Sequence, residues 1–410
     1  MHYFLIFVFS LVSAKNAFVS TLTSDSFLLA AKVLGYSIRK YHPGSEYVLV
    51  YTEEVSNDTI DVLSHHNITT RLMKRLDGPY AATHKGNKYQ YTKIHLWSLI
   101  EYEVLFHLDL DTILLDKVDE VFECGNFCAS LRHSDMFNAG VFVLVPNMKV
   151  YEDMLGKMKT SESYDGGDQG FLNGYFWQVK FSEMLGYNDS KCNHKIRRLP
   201  SAYNYDVGMY YLSSKTLVTP KIIHYTLGPI KPWHWIGYPI FDLNGKWNEM
   251  RLGMHHQYGE MSSQIYGGFF SLMMSALFVI ILHIALGNKR HSFRILKPAK
   301  TEIRERFGVL VSIVFVGMAA GVYNTPEDIL PQLGWLHYTA YFSLTTSTMS
   351  MLYSKYRRCG HYNVMSSFIL SSFIFVFHFV SWFLLASVSL PAYRYLVCFN
   401  LQKRADGRSH

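Results

Sequence analysis

The chain is short of charge. Asp, Glu, Lys and Arg make up 17% of its 410 residues, against 49% hydrophobic residues, a balance too apolar for a wholly water-soluble protein. It has five cysteines, Cys124, Cys128, Cys192, Cys359 and Cys398, too few for a disulfide scaffold, although one bridge among the first three is allowed. No second Cys or His pair stands at metal spacing, which argues against a zinc site. Neither G-x-G-x-x-G nor G-x-x-x-x-G-K-[ST] occurs, so a dinucleotide oxidoreductase and a P-loop enzyme are disfavoured. Positive charge is missing where a nucleic-acid surface would need it. Before residue 267 there are 25 basic and 27 acidic residues, and the net charge of +7 comes from the 14 basic and 5 acidic residues after that point.

What is present is an alternation of strand and helix patterns. Residues 17–23 (AFVSTLT) predict a strand, with Ser24 and Asp25 placed to cap a helix over about Ser26–Tyr41 that carries Leu28, Ala31, Leu34 and Ile38 on one side. The pattern predicts a buried strand over Tyr47–Tyr51, a second helix over Ser56–His65 and a third strand over Thr69–Leu72. This β-α-β-α order predicts an α/β, doubly wound sheet that binds a nucleotide.

The organising stretch is YTKIHLWSLIEYEVLFHLDLDTILLD, residues 91–116. It predicts a helix from Tyr91 to about Glu101 and a strand through Val104–Leu108, ending on Asp109-Leu110-Asp111. Residues i and i+2 of an extended chain face the same way, so Asp109 and Asp111 present two carboxylates at a strand end, where open α/β sheets bind ligands. Two hard oxygen ligands beside a diphosphate suit Mn²⁺ or Mg²⁺. An acidic pair of this kind also arises as an ordinary solvated turn.

Three further blocks follow. Residues 137–144 (FNAGVFVL) form a small-residue turn entering a strand, in which Gly140 permits close approach or marks a plain bulge. Residues 164–173 (YDGGDQGFLN) form a tight loop before a helix, suited to sugar hydroxyls or simply an N-cap. In residues 222–233 (IIHYTLGPIKPW) a strand delivers His224 to a loop with Gly228 and Lys231. An imidazole completes a Mn²⁺ site better than a Mg²⁺ site, and a lysine holds phosphate as a point charge.

These blocks, in this order over roughly residues 17–240, resemble the retaining glycosyltransferases of family 8, the group that contains glycogenin. The resemblance implies a single GT-A-type nucleotide-sugar domain with a Rossmann-like mixed sheet. It implies Mn²⁺ held by Asp109, Asp111 and His224, and a UDP-sugar donor whose uracil lies at Thr23. Lys93, Gly228 and Lys231 would contact the diphosphate, with Leu110 and Gly140 lining the donor site. Asn138, Asp165, Asp168 and Gln169 would surround the sugar, and Asp168 or the amide of Gln169 would stand at its reactive face. Leu110 and Phe27 replace the Ala and Tyr that glycogenin-like chains carry, and no tyrosine matches their self-glucosylated one.

The C-terminal third departs from that family core. Residues 267–287, 307–323, 333–353 and 364–390 are four apolar runs of transmembrane length, predicting a domain of about four to five spans over 263–400. Basic residues crowd 288–306 and 354–363, which the positive-inside rule assigns to the cytosol, and a basic tail (401–410) follows. Residues 3–12 and the Ser13-Ala14 site predict a signal peptide over 1–14, leaving a lumenal domain over 15–262. Sequons at Asn57, Asn67 and Asn188 agree with export. Trp233, Trp235 and Trp247 are expected as interfacial anchors, with the apolar residues of 247–266 lying along the interface. The architecture resembles the multi-span inositol phosphorylceramide glucuronosyltransferases. That resemblance implies a Golgi or ER enzyme moving glucuronate from UDP-glucuronate to a membrane lipid, with Lys85 or Lys88 against the glucuronate carboxylate. The alternatives are a hexosyltransferase acting on protein or glycan, and a non-catalytic sugar-nucleotide-binding module.

Overall fold

The computed structural model describes residues 15–79, 90–132, 135–186, 196–213, 218–228, 230–238, 241–261, isolated positions from 265 to 281, and 300–356 except 328. The expected leader over 1–14, Lys85, Lys88, Asn188, most of the first apolar run, the run 364–390 and the basic tail lie outside the described residues. Two compact units divide the chain, residues 1–226 and 227–410.

The first unit is built on a seven-stranded mixed sheet in the order β3-β2-β1-β4-β7-β6-β8. Its strands are β1 (Lys15–Leu22), β2 (Glu46–Tyr51), β3 (Thr69–Leu72), β4 (Tyr102–Leu108), β6 (Phe127–Leu131), β7 (Phe137–Leu144) and β8 (Ile196–Arg198). The first four pair in parallel, connected through helices α1 (Leu28–Tyr41) and α2 (Asn57–His65) as the alternation predicts. Ser56 caps α2 by accepting from the Thr59 backbone N–H. The Asp25 carboxylate accepts from the Ser56 backbone N–H, which ties the ends of the first two βα units together. β7 then runs antiparallel to both β4 and β6. All eight residues of β7 are buried, as befits a strand covered on both faces.

A second, three-stranded sheet joins β5 (Thr112–Leu114), β10 (Ile222–His224) and β9 (Tyr205–Asp206) in that order. β10 is antiparallel to β5 and parallel to β9, with His224 opposite both Thr112 and Asp206. This small sheet brings a residue more than a hundred positions away beside the end of β4.

The stretch 90–98 forms a 3-10 helix, Gln90–Ser98, instead of the expected α-helix to Glu101. Every residue from Tyr91 to Trp97 is buried, so no solvent face imposes a 3.6-residue period. In a 3-10 helix residues i and i+3 align, and the sequence sorts accordingly. Tyr91, Ile94 and Trp97 form one row and belong to the main core. Thr92, His95 and Ser98 form a second, in which Thr92 accepts from the Leu76 N–H, His95 bonds the Lys74 carbonyl and Ser98 donates to the His95 carbonyl. Trp97 packs parallel to Phe142 and Phe176, with ring centroids 5.7 Å away in each case. The bridge that the sequence allows among its first three cysteines forms between Cys124 and Cys128.

Helices α3 (Met148–Lys157), α4 (Asp168–Tyr175) and α5 (Val207–Ser213) complete the first unit, and the second contains a 3-10 turn at Trp235–Gly237, helix α6 (Asn244–Gln257), and helices Lys300–Asn324 and Pro331–Tyr356. The three tryptophans expected as interfacial anchors lie inside protein. Trp233, Trp235 and Trp247 are all buried. Trp235 meets Trp335 edge-on at 5.1 Å and lies 5.6 Å from Tyr338, and Trp335 Nε1 donates to the Tyr238 carbonyl at 2.6 Å. Met250 and Met254 of α6 are likewise inside, and Arg251, fully buried, donates to the Ile329 carbonyl. Amphipathic residues near a span are drawn to protein here because a neighbouring helix connection offers them a partner.

Among the described residues one stretch, Phe307–Asn324, is long and apolar enough to cross a membrane by length and composition. The run 333–353 lies within Pro331–Tyr356 but carries more hydroxyl groups and does not reach that standard.

Candidate metal and nucleotide-sugar site

The site forms where β4 stops. The Asp109 backbone N–H donates to the Gly140 carbonyl at 2.7 Å, extending the β4–β7 ladder one residue beyond the Leu108–Val141 pair. The Thr112 N–H and hydroxyl then both turn back to the Asp109 carbonyl, at 3.1 and 2.7 Å. The Tyr225 N–H donates to the Asp111 carbonyl at 2.8 Å, so the loop after His224 is tied to the acidic pair. The ligand atoms of Asp109, Asp111 and His224 all lie within 4.8 Å of one another. His224 Nε2 stands 3.2 Å from Asp111 Oδ1.

The tautomer of His224 follows from a run of hydrogen bonds. The Gly140 backbone N–H donates to one side-chain atom of Asn138 at 2.9 Å, which must therefore be its oxygen. That oxygen also receives the Asn204 amide nitrogen at 3.1 Å, so the other end of Asn204 is an oxygen. This oxygen lies 2.9 Å from His224 Nδ1, which is thereby the protonated ring nitrogen. Nε2 keeps its lone pair toward Asp111, as a metal ligand requires. In the other direction, Asn138 Nδ2 and the Ala139 N–H donate to Gln169 Oε1 at 3.2 and 3.3 Å, and Gln169 Nε2 donates to the Tyr164 hydroxyl at 2.7 Å. One line of hydrogen bonds thus runs from the histidine to the residues expected around the sugar.

Lys93 is buried beneath this line. Its ammonium lies 2.9 Å from Asp109 Oδ1, 2.9 Å from Asp168 Oδ2 and 3.2 Å from the Ala139 carbonyl. Burial disfavours its charge, but the Asp109 and Asp168 carboxylates outweigh that and hold its pKa above the usual lysine range. For Asp168 burial dominates, with the Asp109 charge in the same direction and Lys93 opposed, and its carboxyl is pushed above the ordinary value. Asp109 and Asp168 share the Lys93 ammonium, and Asp111 adds a third carboxylate beside Asp109 and His224, a donor set suited to a divalent cation.

The residues fit such an ion. A Cβ added at Gly140 would lie 2.2 Å from His224 Cε1 and 2.7 Å from Asp109 Oδ2, so only glycine leaves the three ligands room to converge. Two carboxylates and an imidazole match the preferences of Mn²⁺. His107, fully buried and stacked on Phe142 at 4.5 Å, lies below, and burial first, then Lys93 and His224, keeps its pKa well below the usual histidine value.

The remaining expected residues are distributed as follows. Asp168 and Gln169 open helix α4 (Asp168–Tyr175) and belong to the site. Asp165 serves its own loop, where Oδ1 accepts from the Ser163 hydroxyl and the Gly167 and Gly170 N–H groups at 2.8, 2.9 and 3.0 Å. Thr23 is half-buried just past β1 and Leu110 is buried. Gly228 and Lys231 belong to the second unit. A cleft of about 520 Å³ lined by Tyr164, Asn173 and Trp177 opens on α4, and Asp109, Asp111 and His224 do not line it. Sequence reasoning missed Asn204 and Asp206. The run Asn204-Tyr205-Asp206 has the same i, i+2 polar spacing as the acidic pair, the one local signal that it faces a site.

The chain is similar in sequence to known proteins. Residues 129–237 match Glycosyl transferase family 8. The chain is 36% identical over 232 residues to inositol phosphorylceramide glucuronosyltransferase 1 of Arabidopsis thaliana, covering 54% of this chain and 43% of that protein. It is 27% identical over 353 residues to a putative glucuronosyltransferase of the same plant, covering 83% and 70%. It is 31% identical over 240 residues to a glycogenin of Caenorhabditis elegans, covering 54% and 51%. The chain thus spans less than half the length of the first of these relatives. The matched segment contains Asn138, Gln169, Asn204 and His224 of the hydrogen-bonded line, together with Asp168, and over those residues this chain is similar to a glycosyltransferase domain of family 8.

Proposed function

We propose that the protein is a membrane-anchored, Mn²⁺-dependent, retaining glycosyltransferase of the Golgi or ER. Its donor is UDP-glucuronate and its acceptor inositol phosphorylceramide or a related glycolipid. The observation that carries the reading is the line of hydrogen bonds from His224 to Gln169, which couples a three-ligand cation site to sugar-facing polar groups. The names of the two plant relatives favour glucuronate over a neutral sugar.

Asp109, Asp111 and His224 would hold the ion, which supplies positive charge to a departing diphosphate. Lys93 orients Asp109 and Asp168 together and keeps both charged groups in place in a buried setting. Asn204 fixes His224 in the ligating tautomer, and Asn138 presents Gln169. The Asp168 carboxylate and Gln169 amide, at the start of α4, are the groups available at the sugar's reactive face.

Asp109→Asn tests the reading. The full chain in detergent is expected to hydrolyse UDP-glucuronate with added Mn²⁺ and to lose this activity with chelator. The variant is expected to lose at least about a hundredfold in kcat/KM with its melting temperature near wild type. Near-normal turnover by the variant at moderate Mn²⁺ would remove the metal assignment.

A further inference from the structure

We infer that Arg132 is the specificity residue for an acidic donor sugar, its guanidinium pairing with the carboxylate of a uronate. This rests on the reading of the site as a UDP-sugar transferase and names what selects the sugar. Arg132 directly follows β6, and its backbone N–H donates to the Met136 carbonyl at 3.0 Å, which fixes it across the turn leading to Asn138. Its Nε stands 2.5 Å from Asp206 Oδ2, at ion-pair distance but off hydrogen-bond direction. Asp206 is two residues beyond Asn204, the partner of His224, and pairs in register with His224 itself. Arg132 is therefore held one step along the wall that carries the metal ligand. On the opposite wall its charge acts on the Tyr164 phenol, together with those of Asp165 and Asp168, and that phenol holds Gln169.

A simple counter-ion role for Asp206 does not account for an arginine. Asp206 Oδ1 already accepts from the Gly208 and Met209 N–H groups at 2.7 and 3.3 Å and from the Thr226 hydroxyl, as an N-cap of the short helix Val207–Ser213. Nε is the Arg132 nitrogen at ion-pair distance from Asp206, and among the described residues no hydrogen bond is made by its two terminal nitrogens. The side chain is 31% exposed. A planar fork with two parallel N–H donors matches a carboxylate, as an ammonium does not. The electrostatics call for such a group. A uronate entering beside Asp109, Asp111 and Asp168 meets like charge, and Lys93 is already committed to two of those three carboxylates. A neutral hexose would need no cation at this place.

The experiment compares acceptor-free hydrolysis of UDP-glucuronate and UDP-glucose by the full-length protein in detergent with Mn²⁺. The ratio of the two kcat/KM values comes from one preparation, so it is independent of the folded fraction. Wild type is expected to favour UDP-glucuronate. Arg132→Gln is expected to lower the ratio about ten- to a hundredfold, mainly through KM for UDP-glucuronate, and Arg132→Lys to fall between. If Arg132→Gln unfolds because Asp206 loses its partner, Arg132→Gln combined with Asp206→Asn removes both charges and is expected to show the same loss. A wild type that favours UDP-glucuronate with an unchanged ratio in the variants overturns the role of Arg132 and leaves the glucuronosyltransferase reading standing. A wild type that favours UDP-glucose overturns the uronate assignment in both.

Discussion

Burial works against protonation at His42 and His95. His42 Nε2 accepts from the Val118 N–H at 3.1 Å, so its proton sits on Nδ1, facing Asp119 at 3.2 Å. His95 bonds the Lys74 carbonyl through Nε2 at 2.7 Å and the Tyr151 hydroxyl through Nδ1 at 3.0 Å. Burial is the leading cause in both, and both pKa values lie below the usual histidine value; for His42 the Asp119 charge opposes the shift without cancelling it. A group depressed in the folded state binds its proton more readily when unfolded. Stability is therefore complete above an unfolded pKa near 6.5 and declines as pH falls from there toward the folded values, by up to about 1.4 kcal/mol per pH unit and per histidine. Urea unfolding between pH 7 and 5 should show this decline. His42→Gln, which keeps an acceptor for Val118 and cannot titrate, should make the decline shallower. An unchanged pH slope in the variant would assign the acid sensitivity elsewhere. At this scale Asp109, Asp111, Asp168 and His224 were legible because short motifs carry them. Asn204 and Arg132 were not, because each acquires its meaning from partners many residues away.

The loop before α4 shows an element set by one carboxylate. Gly170 sits so close to the loop that an added Cβ would lie 2.3 Å from Ser163 Oγ and 2.6 Å from Asp165 Oδ1. Gly166, at φ 69°, takes the left-handed turn that brings the chain round. Asp165 then closes the loop with three accepted hydrogen bonds, and α4 begins three residues later with Asp168 and Gln169. This separates a loop-forming role for Asp165 from a role at the sugar. Asp165→Asn retains an acceptor oxygen and should keep stability within about 1 kcal/mol of wild type with substantial turnover. Asp165→Ala leaves two backbone N–H groups and a hydroxyl without their acceptor and should cost about 1–3 kcal/mol, measured by denaturant unfolding. An Asn variant that is stable but as inactive as Asp168→Ala would restore Asp165 to the reacting centre. The elements themselves were largely legible, since β2, β3, α2 and the end of β4 fall within a residue or two of their sequence patterns. The 3-10 helix at Gln90–Ser98 was not, because a fully buried segment gives no polar face from which to read a period.

For the molecule as a whole, the first unit follows from alternating patterns, and the second depends on what its apolar residues find to pack against. The tryptophans expected at a lipid boundary are inside protein, and the methionines of α6 with them. Phe307–Asn324 differs. Phe307, Phe315, Val316 and Val322 point outward on a helix whose 18-residue window is mostly uncovered. At 1.5 Å per residue such a window is about 27 Å long, near the thickness of the hydrocarbon layer. Apolar side chains left in water along that length forfeit about 25 cal/mol for each Å² that a bilayer would cover, which is a reason for the helix to insert. The membrane-anchored reading therefore predicts that the full chain remains in the membrane pellet after an alkaline carbonate wash. It also predicts that replacing Val314, Val316 and Ala319 with Lys shifts a large share of the chain to the supernatant, because each charge near the centre of a span costs about 2.5–3.5 kcal/mol on the insertion scale. Wild type recovered as unaggregated protein in the wash would mean that this exposed face is covered by protein and not by lipid.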